Sequence, residues 1–440
     1  MEIRAKWIWK KQRNYNPYNQ TLIARKRFSL RDIREAHIKI TADSYYRLYI
    51  NGAWVNDGPC RSWPWHYQYD VINAAPYLRK GENRIKIIAR YFGVGTFHQI
   101  PVQAGLLAQL DVLSKNGKKT TIASDRTWEV AEARTWRPNT PKISVQMEPA
   151  ELYDARLEKR LRFSKAVALF GAHEGPWKHL HPRDCALLTR EPFPLRRFIE
   201  ANVVASDWRR YTFPMARLAH PGLIEANHHV NSAGAVATCI VAKRKKTITV
   251  EGFGMDITVN GKRDNRGRFQ LRAGDNFLLA TTQHVFNHQY KETGVRFVEP
   301  TDITLQNPVD SSHENPWVYV PCRDVDYVDN DIAFLGHSIE ERDETQRAIE
   351  RNLSTLKKQA RDIPSFLAHY DDIAQCLPRE AMLLEDPHPQ FEMRRVVHSG
   401  ARNVAHPRAL MHENGEVTVV KPSRRGDIEL VYDLGEQNIG

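Results

Sequence analysis

Polar and apolar residues alternate along much of this chain with a period of two. Residues 83–87 (NRIKI) show it most cleanly, as a strand with one buried face should. The alternating runs are punctuated by Asn-Gly pairs, which occur four times: Asn51-Gly52, Asn116-Gly117, Asn260-Gly261 and Asn414-Gly415. Asn-Gly is the strongest short hairpin signal, because both central residues of a type I′ turn take positive φ. The flanks agree. Residues 47–50 (RLYI) enter the first pair and 53–55 (AWV) leave it, while 110–113 and 120–122 bracket the second. The pattern predicts a mainly β protein.

Two of these turns belong to a longer repeat. Residues 48–52 (LYING) are followed by 77–83 (YLRKGEN), and residues 257–261 (ITVNG) by 270–276 (QLRAGDN). Each copy is a hairpin, a connection, and then Leu-Arg-x-Gly-acid-Asn leading into an apolar strand. This predicts tandem jelly-roll β-sandwich modules on one plan. The first is expected over 1–190 and the second over 195–335. Four prolines between Pro176 and Pro194 mark a linker or extended strap closing the first module. Ile349, Leu353, Leu356, Ala360 and Ile363 recur at helical spacing until Pro364, so 336–380 reads as a short helical connector. Fresh strand patterns at 417–420 and 427–433 make 381–440 the first strands of a third, truncated sandwich, which cannot close a core by itself.

Composition sets bounds on this picture. Hydrophobic residues make up 41% and charged residues 26%, and there are ten Trp, sixteen Tyr and sixteen Phe. That much aromatic surface argues against a disordered chain. No apolar run approaches the ~20 residues of a bilayer span. The first twenty residues lack the apolar core of a signal peptide, so a cytoplasmic protein is expected. Cys60, Cys185, Cys239, Cys322 and Cys376 are odd in number and scattered, which supports neither a disulfide scaffold nor a Cys-based zinc site.

The sequence offers little catalytic chemistry. It has no P-loop, no GxGxxG opening a helix, no HExxH and no GxSxG elbow. His284 and His288 would share a face only on a helix, and they lie in a β-rich stretch, so no metal or cofactor is expected. No carboxylate pair stands out as catalytic. The formal charge is +12, and 243–246 (KRKK) with Lys262, Arg263, Arg266, Arg268 and Arg272 forms a basic stretch. It keeps a polyanion or nucleic-acid binder open as an alternative, although no nucleic-acid motif accompanies it. The most distinctive segment is 57–67 (DGPCRSWPWHY). Its rings suit stacking on the C–H face of a sugar, and its polar groups suit hydroxyls. Asp57, Arg61, Trp63 and Trp65 are therefore the candidate carbohydrate-binding residues. The competing use of the two Trp is to plug the end of the sandwich.

Several segments resemble bacterial α-L-rhamnosidases of glycoside hydrolase family 78. They are 48–61 (LYINGAWVNDGPCR), 77–83, 92–97 (FGVGTF), 104–108 (AGLLA), 124–128 (SDRTW), 146–156 with its ELYDAR, Gly175-Pro176-Trp177, Pro182-Arg183-Asp184 and 432–440 (YDLGEQNIG). The resemblance covers about 20–185 and 410–440, and implies galactose-binding-like sandwiches. Members of this family remove terminal α-L-rhamnose with inversion, using an acid and a base on an (α/α)6 barrel that follows the β-domains. The match falls on the β-domains, so it implies no catalytic residue in this chain. The expected partners are rhamnose-containing glycosides and a C-terminal catalytic barrel beyond Gly440. A free-standing carbohydrate-binding protein remains the main alternative.

Overall fold

The computed structural model describes residues 2–96, 99–140, 147–189, 193–206, 208–213, 215–219, 233–282, 293–298, 302–325, 339–377 and 394–435. The chain is mainly β, as the alternation predicts. The first module is two facing sheets, antiparallel except where His181–Pro182 pairs in parallel. One runs Val167–Gly171, Lys6–Trp9, Leu106–Leu113, Glu35–Ala42, Gln68–Asn73, His181–Pro182, with Lys119–Ala123 beside Leu106–Leu113. The other runs Ser164–Lys165, Glu129–Glu132, Gln20–Leu30, Gly81–Tyr91, Tyr45–Ile50, Ala53–Gly58. Strand Gly81–Tyr91 sends Ile85, Ile87, Ala89 and Tyr91 into the core while Arg84 and Lys86 face outward.

The second module repeats the plan. Trp208–Phe213, Thr293–Val298, Lys246–Phe253 and Arg268–Leu271 form one sheet. Met255–Val259, Gly274–Thr282, Ala235–Ala242, Val318–Val320 and Gln375–Cys376 form the other, with Ile303–Gln306 also on Ala235–Ala242.

The repeated motif is a pair of asparagine latches. In the first module the Asn51 amide donates to Asn83 Oδ1 (2.8 Å), and Asn51 Oδ1 accepts from the Arg84 amide (2.9 Å). Asn83 accepts from the Arg79 amide (2.9 Å) and donates to the Arg79 and Gly81 carbonyls (2.7 and 3.0 Å). The second module repeats every bond. Asn260 donates to Asn276 (2.9 Å) and accepts from the Phe277 amide (2.9 Å). Asn276 accepts from the Arg272 amide (3.0 Å) and donates to the Arg272 and Gly274 carbonyls (both 2.9 Å). Asn51, Gly52, Asn260 and Gly261 all have positive φ, as a type I′ turn demands. At Asn116-Gly117 and Asn414-Gly415 only the glycine does, so those turns are of another type.

The apolar helical stripe divides between two helices, Ile339–Gln359 and Ile363–Tyr370. Ile349 and Leu353 pack with Ala233, while Leu356, Ala360 and Phe366 pack on Ala235, Phe277 and Val318. Pro364 does not end the pattern. It sits in the first turn of the second helix, where its missing N–H costs nothing, and Asp362 caps that turn by accepting from the Ser365 amide (2.9 Å).

The strand Arg197–Ser206 falls at the head of the expected second module but joins neither of its sheets. It pairs with Arg394–Ser399 and Asp427–Asp433 to form a separate three-stranded sheet. The apolar residues of all three strands need one surface, and local pattern does not reveal which strands share it. Among the described residues the five cysteines are free, and no helix is long and apolar enough to cross a membrane.

Candidate functional site: an aromatic loop on the first sandwich

Strand Ala53–Gly58 ends over a buried polar cluster. Asp70 is fully buried, takes a hydrogen bond from the Tyr46 hydroxyl, and lies 3.2 Å from Arg183 Nε. The Asn56 amide donates to the Tyr46 hydroxyl (2.9 Å). Burial pushes the Asp70 carboxyl above its usual range, against the pull of Tyr46 and Arg183. A Cβ at Gly58 would lie 2.2 Å from Asp70 Oδ2, so only glycine lets the chain pass here.

The loop beyond is held at several points. The Cys60 thiol donates to Gln68 Oε1 (3.1 Å), and Ser62 Oγ accepts from the Gln68 amide (3.1 Å). The His66 amide donates to the Trp63 carbonyl (3.0 Å), closing a tight turn. The strap then braces it, with the Lys178 amide donating to the Pro64 carbonyl (2.6 Å) and the Tyr67 amide to the Lys178 carbonyl (3.0 Å). On this rigid base Trp63 and Trp65 remain 54% and 55% exposed. Their rings stack with centroids 5.4 Å apart and planes at 20°. Beside them His66 stacks on His179 at 5.1 Å. The two Trp therefore do not plug the sandwich. Trp7, Tyr67 and Trp177 fill that inner position, all buried, with Trp177 stacked on Trp7 at 3.8 Å.

Arg61 is exposed on the same loop. Asp57 is not free to join it. It lies on the strand, where Arg47 grips both its oxygens (2.9 Å each) and the Trp54 indole donates to Oδ1 (2.9 Å). Its carboxylate positions those two side chains. The loop thus presents Arg61, Trp63 and Trp65, joined by His66 and His179. His179 lies more than a hundred residues away in sequence, and the strap's bonds through Lys178 and the parallel pairing of His181–Pro182 with Gln68 and Tyr69 bring it near. No local signal could have found it.

Asp43 is another buried carboxyl of this module. It accepts from the Trp177 indole (3.0 Å), the Val102 and Gln103 amides (3.1 and 3.4 Å) and Ser44 Oγ (2.9 Å). Burial still pushes it up to about 6. Both carboxyls are closed off by protein donors, which suits anchoring the strap and not acid–base chemistry on a substrate. His284, His288 and 436–440 lie outside the described residues. The basic run 243–246 spans the turn after strand Ala235–Ala242 and the first residue of Lys246–Phe253, and Arg244 lies 3.4 Å from Asp302.

Residues 31–168, most of this sandwich, match the family described as the alpha-L-rhamnosidase N-terminal domain. The first sandwich is thus similar to that domain over these residues. Among solved structures, the GH78 family rhamnosidase of Bacillus sp. GL1 superposes with a TM-score of 0.76 at 23% identity, over 98% of this chain and 46% of that one. The chain therefore spans less than half the length of that relative, and the likeness shows a shared fold over the aligned part. The α-L-rhamnosidases of Aspergillus terreus (17% identity, 73% of this chain, 37% of that one, TM-score 0.36) and Streptomyces avermitilis (18%, 73%, 29%, 0.28) match far more loosely. No curated protein matches.

Proposed function

We propose that this chain is the non-catalytic β-sandwich region of an α-L-rhamnosidase-type glycoside hydrolase, a protein that releases terminal α-L-rhamnose from glycosides with inversion. The observation that carries this reading is the family match over 31–168, on a chain that superposes along nearly its whole length on a rhamnosidase of more than twice its size. An inverting pair requires two carboxyls about 6.5–9.5 Å apart across a sugar site. Three carboxyls buried in the first sandwich, Asp43, Asp70 and Asp111, are each held by protein partners. In this reading the catalytic pair lies outside the described residues of the first sandwich.

Within this reading the aromatic loop is an accessory sugar platform. Trp63 and Trp65 offer ring faces to the apolar side of a pyranose, and Arg61 offers donors to its hydroxyls. The loop needs no ordering on binding, since its turn, its glycine and the strap already fix it. The decisive assay is turnover of an aryl α-L-rhamnoside by the purified 440-residue chain. The expected result is none above buffer. Turnover that follows the chain through repurification would overturn the non-catalytic assignment.

A further inference from the structure

The outer side of the first sandwich carries a block of cations that works against the fold. In strands Gln20–Leu30 and Gly81–Tyr91, Arg25 stands directly opposite Lys86 and Arg27 directly opposite Arg84. All four point away from the core, which takes Leu22, Ala24, Ile85 and Ile87 from the alternate positions. Their Cα positions form a rectangle of about 5 by 7 Å. Like charges opposite each other in a sheet are destabilising, and here two such pairs follow one another. Arg25 reaches Glu129 (2.9 Å). Among the described residues Arg27, Arg84 and Lys86 make no ion pair, and all three are exposed. Asp57 on the same side is held by Arg47, and Glu82 lies one row further out, opposite Ser29. The row through Arg25 and Lys86 ends in two rings. Tyr49 stands opposite Lys86 and Trp54 opposite Tyr49, with Lys86 over the Tyr49 ring at 5.2 Å and Arg47 over the Trp54 ring at 5.5 Å. Trp54 is 44% exposed.

The second sandwich uses the same positions differently. The latch aligns Asn83 with Asn276, so Arg84 and Lys86 correspond to Phe277 and Leu279. Through the two ladders Arg27 and Arg25 correspond to Cys239 and Ala237. Those four residues of the second sandwich are all buried. Ala237, Phe277 and Leu279 pack in one cluster with Leu356, Ala360 and Phe366 of the two helices. The first sandwich thus turns outward, as cations, the positions that the second closes with its own helices. A face of this kind does not suit a packed protein partner, because interface cores are poor in charge and Lys is depleted there. It does not suit duplex nucleic acid either, whose major groove admits a helix or a two-stranded ribbon and not a flat sheet.

We infer that this sheet face binds an acidic polysaccharide, a chain of uronate sugars. Carboxylates of the chain meet the four cations in charge-assisted hydrogen bonds and relieve their mutual repulsion. Tyr49 and Trp54, at the end of the same row, take the apolar side of an adjoining pyranose. Strand Ala53–Gly58 leads from Trp54 to the start of the aromatic loop, about 13 Å along, so both sites lie within reach of one glycan chain. The choice of a sugar polymer over another polyanion rests on the glycoside reading above, but the test is separate. Rhamnoside turnover by the chain would leave uronate binding intact, and absence of uronate binding would leave the rhamnosidase reading intact.

The experiment is calorimetric titration of the 440-residue chain with oligogalacturonate, polyglutamate and oligothymidylate of matched charge. The expected result is binding of oligogalacturonate at least tenfold tighter than either of the others. Arg27→Thr with Arg84→Thr should weaken it at least tenfold without lowering the melting temperature, because the change removes a like-charged pair. Arg27→Lys with Arg84→Lys keeps both charges and should stay within threefold of the parent chain. Lys243→Ser with Lys245→Ser takes the same charge from the second sandwich and should leave the affinity unchanged. Trp54→Ala should weaken oligogalacturonate at least threefold and leave polyglutamate unaffected. Absence of oligogalacturonate binding, equal affinity for polyglutamate or oligothymidylate, equal weakening by the Lys243 and Lys245 substitutions, or indifference to those at Arg27 and Arg84 would each overturn the proposal.

Discussion

The two sandwiches share the same latch and differ in what they hang from it. Asn51 with Asn83, and Asn260 with Asn276, make matching bonds to matching backbone positions. Between turn and latch the first module inserts 53–77, which contains an extra strand, the aromatic loop and strand Gln68–Asn73. The second inserts only 262–270, a polar loop and a short edge strand. The second asparagine of each latch is buried and makes the same bonds, whereas the insertions are chemically different. A sandwich of this kind separates the residues that close its core from those of its connections, so one framework carries an exposed pair of rings in one copy and a charged loop in the other.

The strongest way to sharpen this contrast is to cut the anchor that only the first module has. Trp177→Ala empties a buried site between Trp7 and Asp43 and should destabilise that module by about 3–5 kcal/mol. Hydrogen exchange resolved by module should show the loss in the first sandwich and leave Ala235–Thr282 protected. Equal loss in both would break the claim that they are separate units.

Asp43 gives a pH signature to the same module. Its folded pKa of about 6 lies above the ordinary 3.8, so the native state holds this proton more tightly than the unfolded chain does. The resulting stability is fully present below about pH 4 and is lost as pH rises through 6. It amounts to at most about 3 kcal/mol. Asp43→Asn should remove that slope from the denaturation profile of the first module. A slope that survives in the variant assigns the titration to another group.

The latch tests the shared half of the comparison. Asn83→Ala and Asn276→Ala should each cost about 2–3 kcal/mol, because each strands buried backbone and amide groups. The losses should be alike and confined to their own modules. A large loss in one and none in the other would show that the repeat is a likeness of sequence without a common role.

What was legible in the chain follows from the range of the interactions. The latches are legible because turn, glycine and asparagine lie within a few residues of one another, and their chemistry is local. The helical stripe from Ile349 to Ala360 is legible for the same reason, although Pro364 opens a second helix where the pattern suggests a stop. Trp63 and Trp65 are legible as unusual, and their exposure argues against a plug. His179, and the pairing of 197–206 with 394–399 and 427–433, are not legible. Each joins segments more than a hundred residues apart, and alternation says which face of a strand is apolar but not which strand lies beside it. Asp57 misleads because its composition fits a sugar site while its oxygens belong to Arg47 and Trp54.

The smallest structural perturbation carries the most direct test. Trp63→Ala with Trp65→Ala removes two half-exposed rings and should change stability by less than about 0.5 kcal/mol. Titration of the chain and of this double variant with an α-L-rhamnoside, followed by protein NMR, measures the platform alone. The account predicts saturable shifts at 61–66 and His179 in the parent chain, and a loss of affinity of at least tenfold in the variant with its melting temperature retained. Equal affinity in both proteins, or no binding by the parent, would contradict it.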